Sequence, residues 1–389
     1  STTDSQRKLL DEFRAGRRTA LARAITLVEN ERPGFQALLS ELHADLGRAH
    51  RIGITGPPGA GKSTLTSRLA AAFRERGETV AIVAVDPTSP FTGGALLGDR
   101  IRMNDIALDP GVFIRSMATR GSLGGLAVTT REVTDVLDAF GFDRILIETV
   151  GVGQSELDIA AAADTTTVVL VPESGDSIQA MKAGLMEIAD LFVINKADRP
   201  GAERLAREVE MMLRLRDGRI KSRMPAHHGV DLRSVAAKSG EIKAQAEAGS
   251  RGVKAETPHA RPEVMPETKT AQSEHGPDSS RPRSPETESP DAWSLPVLKT
   301  VAEQGEGVDA LIDTFDRHLE WMSRSGELSR RRRERLVQRV REVVNRQLER
   351  SAWRERGGEE TLAEATEALE SGRESPYEVA ARIVRAALG

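Results

Sequence analysis

The chain has 389 residues, 39% of them hydrophobic, enough to bury one sizeable core with smaller helical additions. Charged residues make up 29% and nearly cancel, leaving a formal net charge of −4, so the overall balance offers no general attraction to nucleic acid or to an anionic membrane. Cysteine is absent, which excludes a disulfide framework and any thiolate metal site, and no apolar run is long enough to span a bilayer.

Residues 1–48 read as a helical arm, with Leu21, Ile25 and Val28 on one face by their spacing. The stretch Ser1–Arg18 lacks the apolar segment of a secretory signal, and Asp4, Asp11 and Glu12 argue against a mitochondrial presequence, so a cytoplasmic protein is expected. From His50 the pattern changes to short apolar runs alternating with helical segments: Arg51–Thr55, Thr79–Val85, Val112–Ile114, Arg144–Ile147, Thr166–Val171, Leu191–Ile194 and Val297–Val301. Such alternation predicts an α/β fold with a mostly parallel, doubly wound sheet over residues 49–322.

The first run leads into Gly56-Pro57-Pro58-Gly59-Ala60-Gly61-Lys62-Ser63-Thr64, which matches the phosphate-binding P-loop and precedes a helix predicted over Leu65–Arg76. The glycines allow a tight turn whose N–H groups face phosphate oxygens, and the helix N-terminus adds its positive end. Lys62 brings an ammonium to the β- and γ-phosphates, and the Ser63 hydroxyl is suited to ligate Mg²⁺. Asp86 ends the second run and Asp99 lies in a Gly-Asp-Arg turn; both are candidates to position the metal or water, with a turn or capping acid as the alternative, weightier for Asp99 than for Asp86.

The fourth run ends in Glu148, followed by Thr149-Val150-Gly151, where P-loop nucleotide hydrolases place the acid of the Mg²⁺ shell. Gly151 can offer its N–H to a γ-phosphate. Gln154 is displaced from the position that orients the attacking water in many GTPases, which predicts slow intrinsic hydrolysis accelerated by a partner. After the sixth run comes Asn195-Lys196-Ala197-Asp198. An amide at Asn195 can bond a purine edge, and a carboxylate at Asp198 can accept from two guanine donors that adenine lacks, so GTP is favoured over ATP. Thr300-Val301-Ala302 is the expected second base-contacting loop.

Eight of the 18 prolines fall between Pro258 and Pro296, amid Glu, Ser, Thr and Lys, so residues 239–292 are expected to form a disordered insertion. Residues 323–389 read as helical, with Leu336, Val340, Val344 and Leu348 in a stripe and a capping box at Ser375-Pro376-Tyr377-Glu378. Such a striped tail packs on its own domain or on a second subunit. The basic run Arg330–Arg333 is diluted by Glu327, Glu334 and Glu342 and has no aromatic platform, so no nucleic-acid partner is expected.

Two segments carry a resemblance to a known family. Asp86-Pro87-Thr88-Ser89-Pro90-Phe91-Thr92-Gly93-Gly94 through Gly98-Asp99-Arg100, and Glu148-Thr149-Val150-Gly151-Val152-Gly153-Gln154-Ser155-Glu156, closely resemble the MeaB/ArgK family. The resemblance implies a SIMIBI-class P-loop GTPase, a homodimer through its C-terminal helices, acting as a G-protein chaperone of an adenosylcobalamin-dependent acyl-CoA mutase of the methylmalonyl-CoA mutase type. It would gate cofactor loading and protect the mutase, with GTP/GDP and Mg²⁺ as ligands and no membrane or nucleic-acid partner. By matching positions, Lys62 and Ser63 carry over as phosphate and metal contacts, and Asp86, Asp99 and Glu148 as the acidic cluster. Asp176, Gln179 and Lys182 match polar positions of a partner-responsive switch. Two alternatives are weaker: a GTP-dependent nickel metallochaperone, which would want cysteine and clustered histidine where seven scattered histidines stand, and the transport-linked kinase of the older ArgK description.

Overall fold

In a computed structural model, residues 4–86, 104–118, 125–149, 155–172, 184–216 and 292–388 are described. All seven apolar runs are strands: β1 (His50–Thr55), β2 (Val80–Asp86), β3 (Val112–Ala118), β4 (Arg144–Thr149), β5 (Thr165–Leu170), β6 (Leu191–Asn195) and β7 (Val297–Thr300). They form one sheet in the order β3-β2-β4-β1-β5-β6-β7, and every neighbouring pair is parallel. β5 is buried at every position, with Val168 and Val169 entering different core clusters, and a strand buried on both faces needs a layer on each.

The helices supply those layers. α1 (Asp4–Arg14), α2 (Arg18–Glu29), α3 (Phe35–Leu42), α4 (Lys62–Glu75), α5 (Asn104–Ala107), α6 (Gly125–Phe140), α7 (Ser155–Ala162), α8 (Met186–Ile188) and α9 (Ala202–Arg216) alternate with the strands or precede them. On one face, Leu65, Leu69 and Phe73 of α4 join Ile52, Ile54 and Ile82 of the sheet. On the other, Val133, Val136 and Leu137 of α6 cover Val83, Ile145 and Ile147. Leu21, Ile25 and Val28 of α2 are fully buried in that same cluster, with Phe13 of α1 edge-on to Phe140 at 5.1 Å between ring centres. The N-terminal helices therefore share the core of the sheet.

After β7 the chain continues as α10 (Val308–Ser325), α11 (Glu327–Arg350), α12 (Gly358–Glu370) and α13 (Pro376–Leu388). The capping box at the start of α13 is formed: the Ser375 N–H donates to Glu378 Oε2 at 2.8 Å, and the Glu378 N–H to Ser375 Oγ at 3.3 Å. Trp353 is half-buried against a small satellite cluster of Ala365, Val379 and Ile383. The molecule divides into one compact unit, residues 1–213 and 291–389, and a second, 214–290, of which only 214–216 are described. The expected insertion at 239–292 thus lies, but for its last residue, outside the described residues. Among the described residues, no helix is long and apolar enough to cross a membrane.

The N-terminal ends of the strands, away from the P-loop, carry a dense set of buried polar groups. Asp138 accepts the N–H groups of Gly47, Arg48 and Ala49 at 2.9–3.0 Å and pairs with Arg51 at 2.7 Å, fixing the entry to β1. Burial works against the Arg51 charge, yet Asp135 and Asp138 hold its pKa above the ordinary range. Asp164 and Asp190 sit just before β5 and β6. Arg332 and Arg335 of α11 grip Asp164, Arg331 grips Asp190 at 2.8 Å, and the two arginines outweigh the burial that would otherwise raise the Asp164 pKa, leaving it lowered. The arginine run is turned to this internal use, with Arg330 paired to Glu327 and Glu334 on its own helix.

Between these aspartates runs a hydrogen-bonded chain with one direction. Arg144 donates to Nδ1 of His50 at 3.0 Å, so that nitrogen has no proton and Nε2 has one. Nε2 therefore donates to Thr165 Oγ1 at 2.7 Å, and the hydroxyl donates onward to Nδ1 of His318 at 2.8 Å. The proton left on His318 Nε2 faces Asp190 Oδ1, 3.5 Å away. Burial keeps both rings neutral, pushing His50 down to about 3 and His318 to about 4. His318 also stacks on Trp321 and meets Trp293 at a tilt, the three rings lying in mutual contact. Two of the seven histidines, scattered in sequence, are thus brought to one hydroxyl.

Candidate functional site

β1 is the middle of the sheet, and the chain leaves it at its C-terminal end into residues 56–61 before α4 begins at Lys62. This end of a parallel sheet, where neighbouring connections diverge, is where doubly wound folds bind ligands. Two glycines here are dictated by geometry. Gly56 has φ +135°, and a Cβ on it would lie 2.1 Å from the carbonyl oxygen of Val169; Gly61 has φ +81°, and a Cβ would lie 2.4 Å from Asn195 Nδ2. The loop must press against β5 on one side and β6 on the other, which only glycine permits.

Lys62 is the first residue of α4 and is buried, with Nζ donating to the carbonyls of Gly56 and Pro57 at 2.8 and 2.9 Å. Its ammonium is held over the loop by main-chain oxygens that phosphate oxygens could replace. Gly59, Ala60 and Pro58 complete the loop, and Thr64 is exposed on the first turn of the helix. Parallel pairing of β1 with β4 places Ile54 opposite Glu148, so the strand ends deliver Glu148 to the helix start: Ser63 Oγ donates to Glu148 Oε1 at 2.5 Å. A hydroxyl and a buried carboxylate side by side at a helix N-terminus are hard oxygen donors of the kind that suit Mg²⁺. Thr149 ties β4 to β1 through Thr55, 3.1 Å away.

The base side is built from β6 and β7. Pairing sets Asn195 beside Thr300, and Asn195 connects three segments: Nδ2 donates to Ala60 O at 2.8 Å, while Oδ1 accepts from Thr300 Oγ1 at 3.0 Å and from the Ala302 N–H at 3.1 Å. The side chain assigned to a purine edge by its sequence context is therefore engaged in joining the P-loop to the 300–302 loop. Lys196 takes a left-handed conformation at φ +55° and donates to Gly59 O at 3.0 Å. Asp198 is exposed in the turn that follows β6, and Val301 is buried and bridged to Glu306.

Sequence reasoning missed Arg68. On α4, it donates to the carbonyls of Ala302 and Glu303 at 3.2 and 2.7 Å, partners 234 and 235 residues away. An arginine on the outer face of a helix carries no sequence signal that distinguishes it from a solvated charge. Asp86 closes β2, with its side chain outside the described part. Asp99, Gly151, Gln154, Asp176, Gln179 and Lys182 lie outside the described residues, as does most of the segment that carried the family resemblance.

The family described as methylmalonyl Co-A mutase-associated GTPase MeaB matches residues 21–356. A Pyrococcus abyssi protein with a GTPase designation is 41% identical over 338 residues, covering 87% of this chain and 83% of that one. The Caenorhabditis elegans protein named methylmalonic aciduria type A homolog, mitochondrial, is 41% identical over 206 residues, covering 49% of this chain and 52% of its own. Among solved structures, one described as an LAO/AO transport system kinase superposes with a TM-score of 0.60 at 23% identity, over 98% of each chain; it shares the fold.

Proposed function

The chain belongs to the MeaB family of GTPases, and from that premise we propose that it is a nucleotide-dependent chaperone of an adenosylcobalamin-dependent acyl-CoA mutase of the methylmalonyl-CoA mutase type. The observation that carries the guanine-nucleotide part is the junction at Asn195, which joins the P-loop, the β6 turn carrying Asp198 and the 300–302 loop into one cradle. Phosphates would lie against the loop 56–61 and Lys62, and the base beside Lys196, Asp198 and the 300–302 loop. Ser63 and Glu148, with Asp86 and Asp99, would hold Mg²⁺, which neutralises phosphate charge when bound. Gly151 would meet the γ-phosphate, and Asp176, Gln179 and Lys182 would form the partner-responsive switch.

Partner binding is supported by the family and by the exposed apolar stripe on α11. Leu336, Val340, Val344 and Leu348 are each about half exposed, a row that pairing with a second copy would cover. Two measurements test the reading. Calorimetry on Mg²⁺-loaded protein should show GTP and GDP binding with adenine nucleotides far weaker; equal affinities would sink the base-side assignment. Pull-down with a mutase should differ between a non-hydrolysable GTP analogue and GDP, and capture indifferent to nucleotide would remove the switch role.

A further inference from the structure

We propose that Arg68 is a positioning residue that latches the guanine-side loop and so sets how long a guanine nucleotide is retained. The inference rests on the guanine-nucleotide reading above and concerns a side chain outside the P-loop and the base tetrapeptide. The loop after β7 turns tightly: Val301 bridges to Glu306, the Gln304 N–H donates to Val301 O at 2.9 Å, and Gly305 and Gly307 take φ +79° and +77°. Its pivotal residue is Ala302, held at both main-chain groups. The N–H is taken by Asn195 from the sheet side, and the carbonyl is taken by Arg68 from α4, with the Glu303 carbonyl taken by the other arm of the same guanidinium. A planar fork with several fixed donors suits two adjacent carbonyls, where a lysine could satisfy one.

The placement of Arg68 on α4 gives the latch its meaning. The helix that begins at Lys62 and Ser63 under the phosphates carries Arg68 on to the base-side loop, so one rigid element spans both ends of the nucleotide. Loosening the Ala302–Glu303 connection would free the base wall and leave the phosphate cradle intact. Arg68 is exposed, so its truncation removes the latch without opening a cavity in the core.

The test compares wild type, Arg68→Ala and Arg68→Lys, each as the 389-residue chain, by stopped-flow release of a fluorescent GDP, alongside calorimetric binding of tripolyphosphate, a probe of the phosphate cradle alone. Losing two charge-assisted hydrogen bonds should speed GDP release about tenfold in Arg68→Ala and about threefold in Arg68→Lys, with tripolyphosphate affinity within about twofold of wild type. GDP release from Arg68→Ala within about twofold of wild type would overturn the latch, as would a tripolyphosphate affinity reduced by the same factor as GDP retention. Wild-type protein that holds ADP as well as GDP would instead overturn the guanine reading and take the latch with it.

Discussion

The two ends of the sheet solve the same problem in opposite ways. Both gather charged side chains at strand termini. At the nucleotide end, the cations and amides rest on main-chain carbonyls of loops: Lys62 on Gly56 and Pro57, Lys196 on Gly59, Asn195 on Ala60, Arg68 on Ala302 and Glu303. At the far end, charges meet opposite charges, as Asp164 meets Arg332 and Arg335, Asp190 meets Arg331, and Asp138 meets Arg51. Side chain to carbonyl bonds can be exchanged for phosphate and base at modest cost, whereas a buried ion pair that loses one member strands the other. The first arrangement suits a site that must open for a ligand, and the second an anchor for the C-terminal helices.

That contrast can be broken most directly by paired variants. Lys62→Ala should lower single-turnover GTP hydrolysis by on the order of 100- to 1000-fold, the scale of removing a charge that stabilises phosphoryl transfer, and shift the unfolding midpoint little. Asp164→Asn should do the reverse: a loss of roughly 3–5 kcal/mol in denaturant unfolding, because arginines of α11 lose their buried counter-charge, with GDP affinity of the folded protein nearly unchanged. An Asp164→Asn protein as stable as wild type would show that the far end is no anchor.

The pH dependence sharpens the same contrast. His50 and His318 bind protons less readily folded than unfolded, with folded values near 3 and 4 against an ordinary 6.5. The unfolded chain therefore takes up more protons as pH falls below about 6.5, and stability falls with it; the loss by pH 5 should be on the order of 3 kcal/mol for the two rings together. Asp164, with its pKa lowered, loses its contribution only as pH falls below the ordinary aspartate range, so the window from 6.5 to 5 reports the histidines. His318→Asn, whose carbonyl can still accept from Thr165, should roughly halve the slope of unfolding free energy against pH. A slope unchanged in that variant would remove His318 from the chain. The smallest effect is expected for Arg330→Ala, which removes exposed pairs with Glu327 and Glu334 and should leave the denaturation midpoint where it was.

Much of the fold was legible because it depends on local pattern. All seven strands fall on the runs read from the sequence, with ends moved by a few residues at most, since strands covered by helices draw on near-continuous apolar and β-branched sequence. The P-loop was legible for a similar reason, as its glycines and Lys62 act within a few residues of one another. Asn195 was half legible: its identity and place at a strand end pointed to the base side, but its three partners lie on segments more than 100 residues off. The Arg330–Arg333 run reads in sequence only as basic charge diluted by glutamates, and the acids that receive Arg331 and Arg332 are hidden as isolated aspartates inside apolar stretches, Ala160–Ala163 before Asp164 and Ile188-Ala189 before Asp190. A lone acid in such a run is itself a signal that a buried partner awaits it.

By itself, the sequence determined the strands, the glycine turns of the 56–61 loop and the capping of the last helix, because each is set by steric and hydrogen-bonding rules among neighbours along the chain. Only the tertiary structure decided that Glu148 meets Ser63, that Arg68 reaches Ala302 and Glu303, and that His50, Thr165 and His318 form one directed chain. These contacts depend on strand order and register, which bring together residues from 85 to 235 positions apart, and no local rule encodes that.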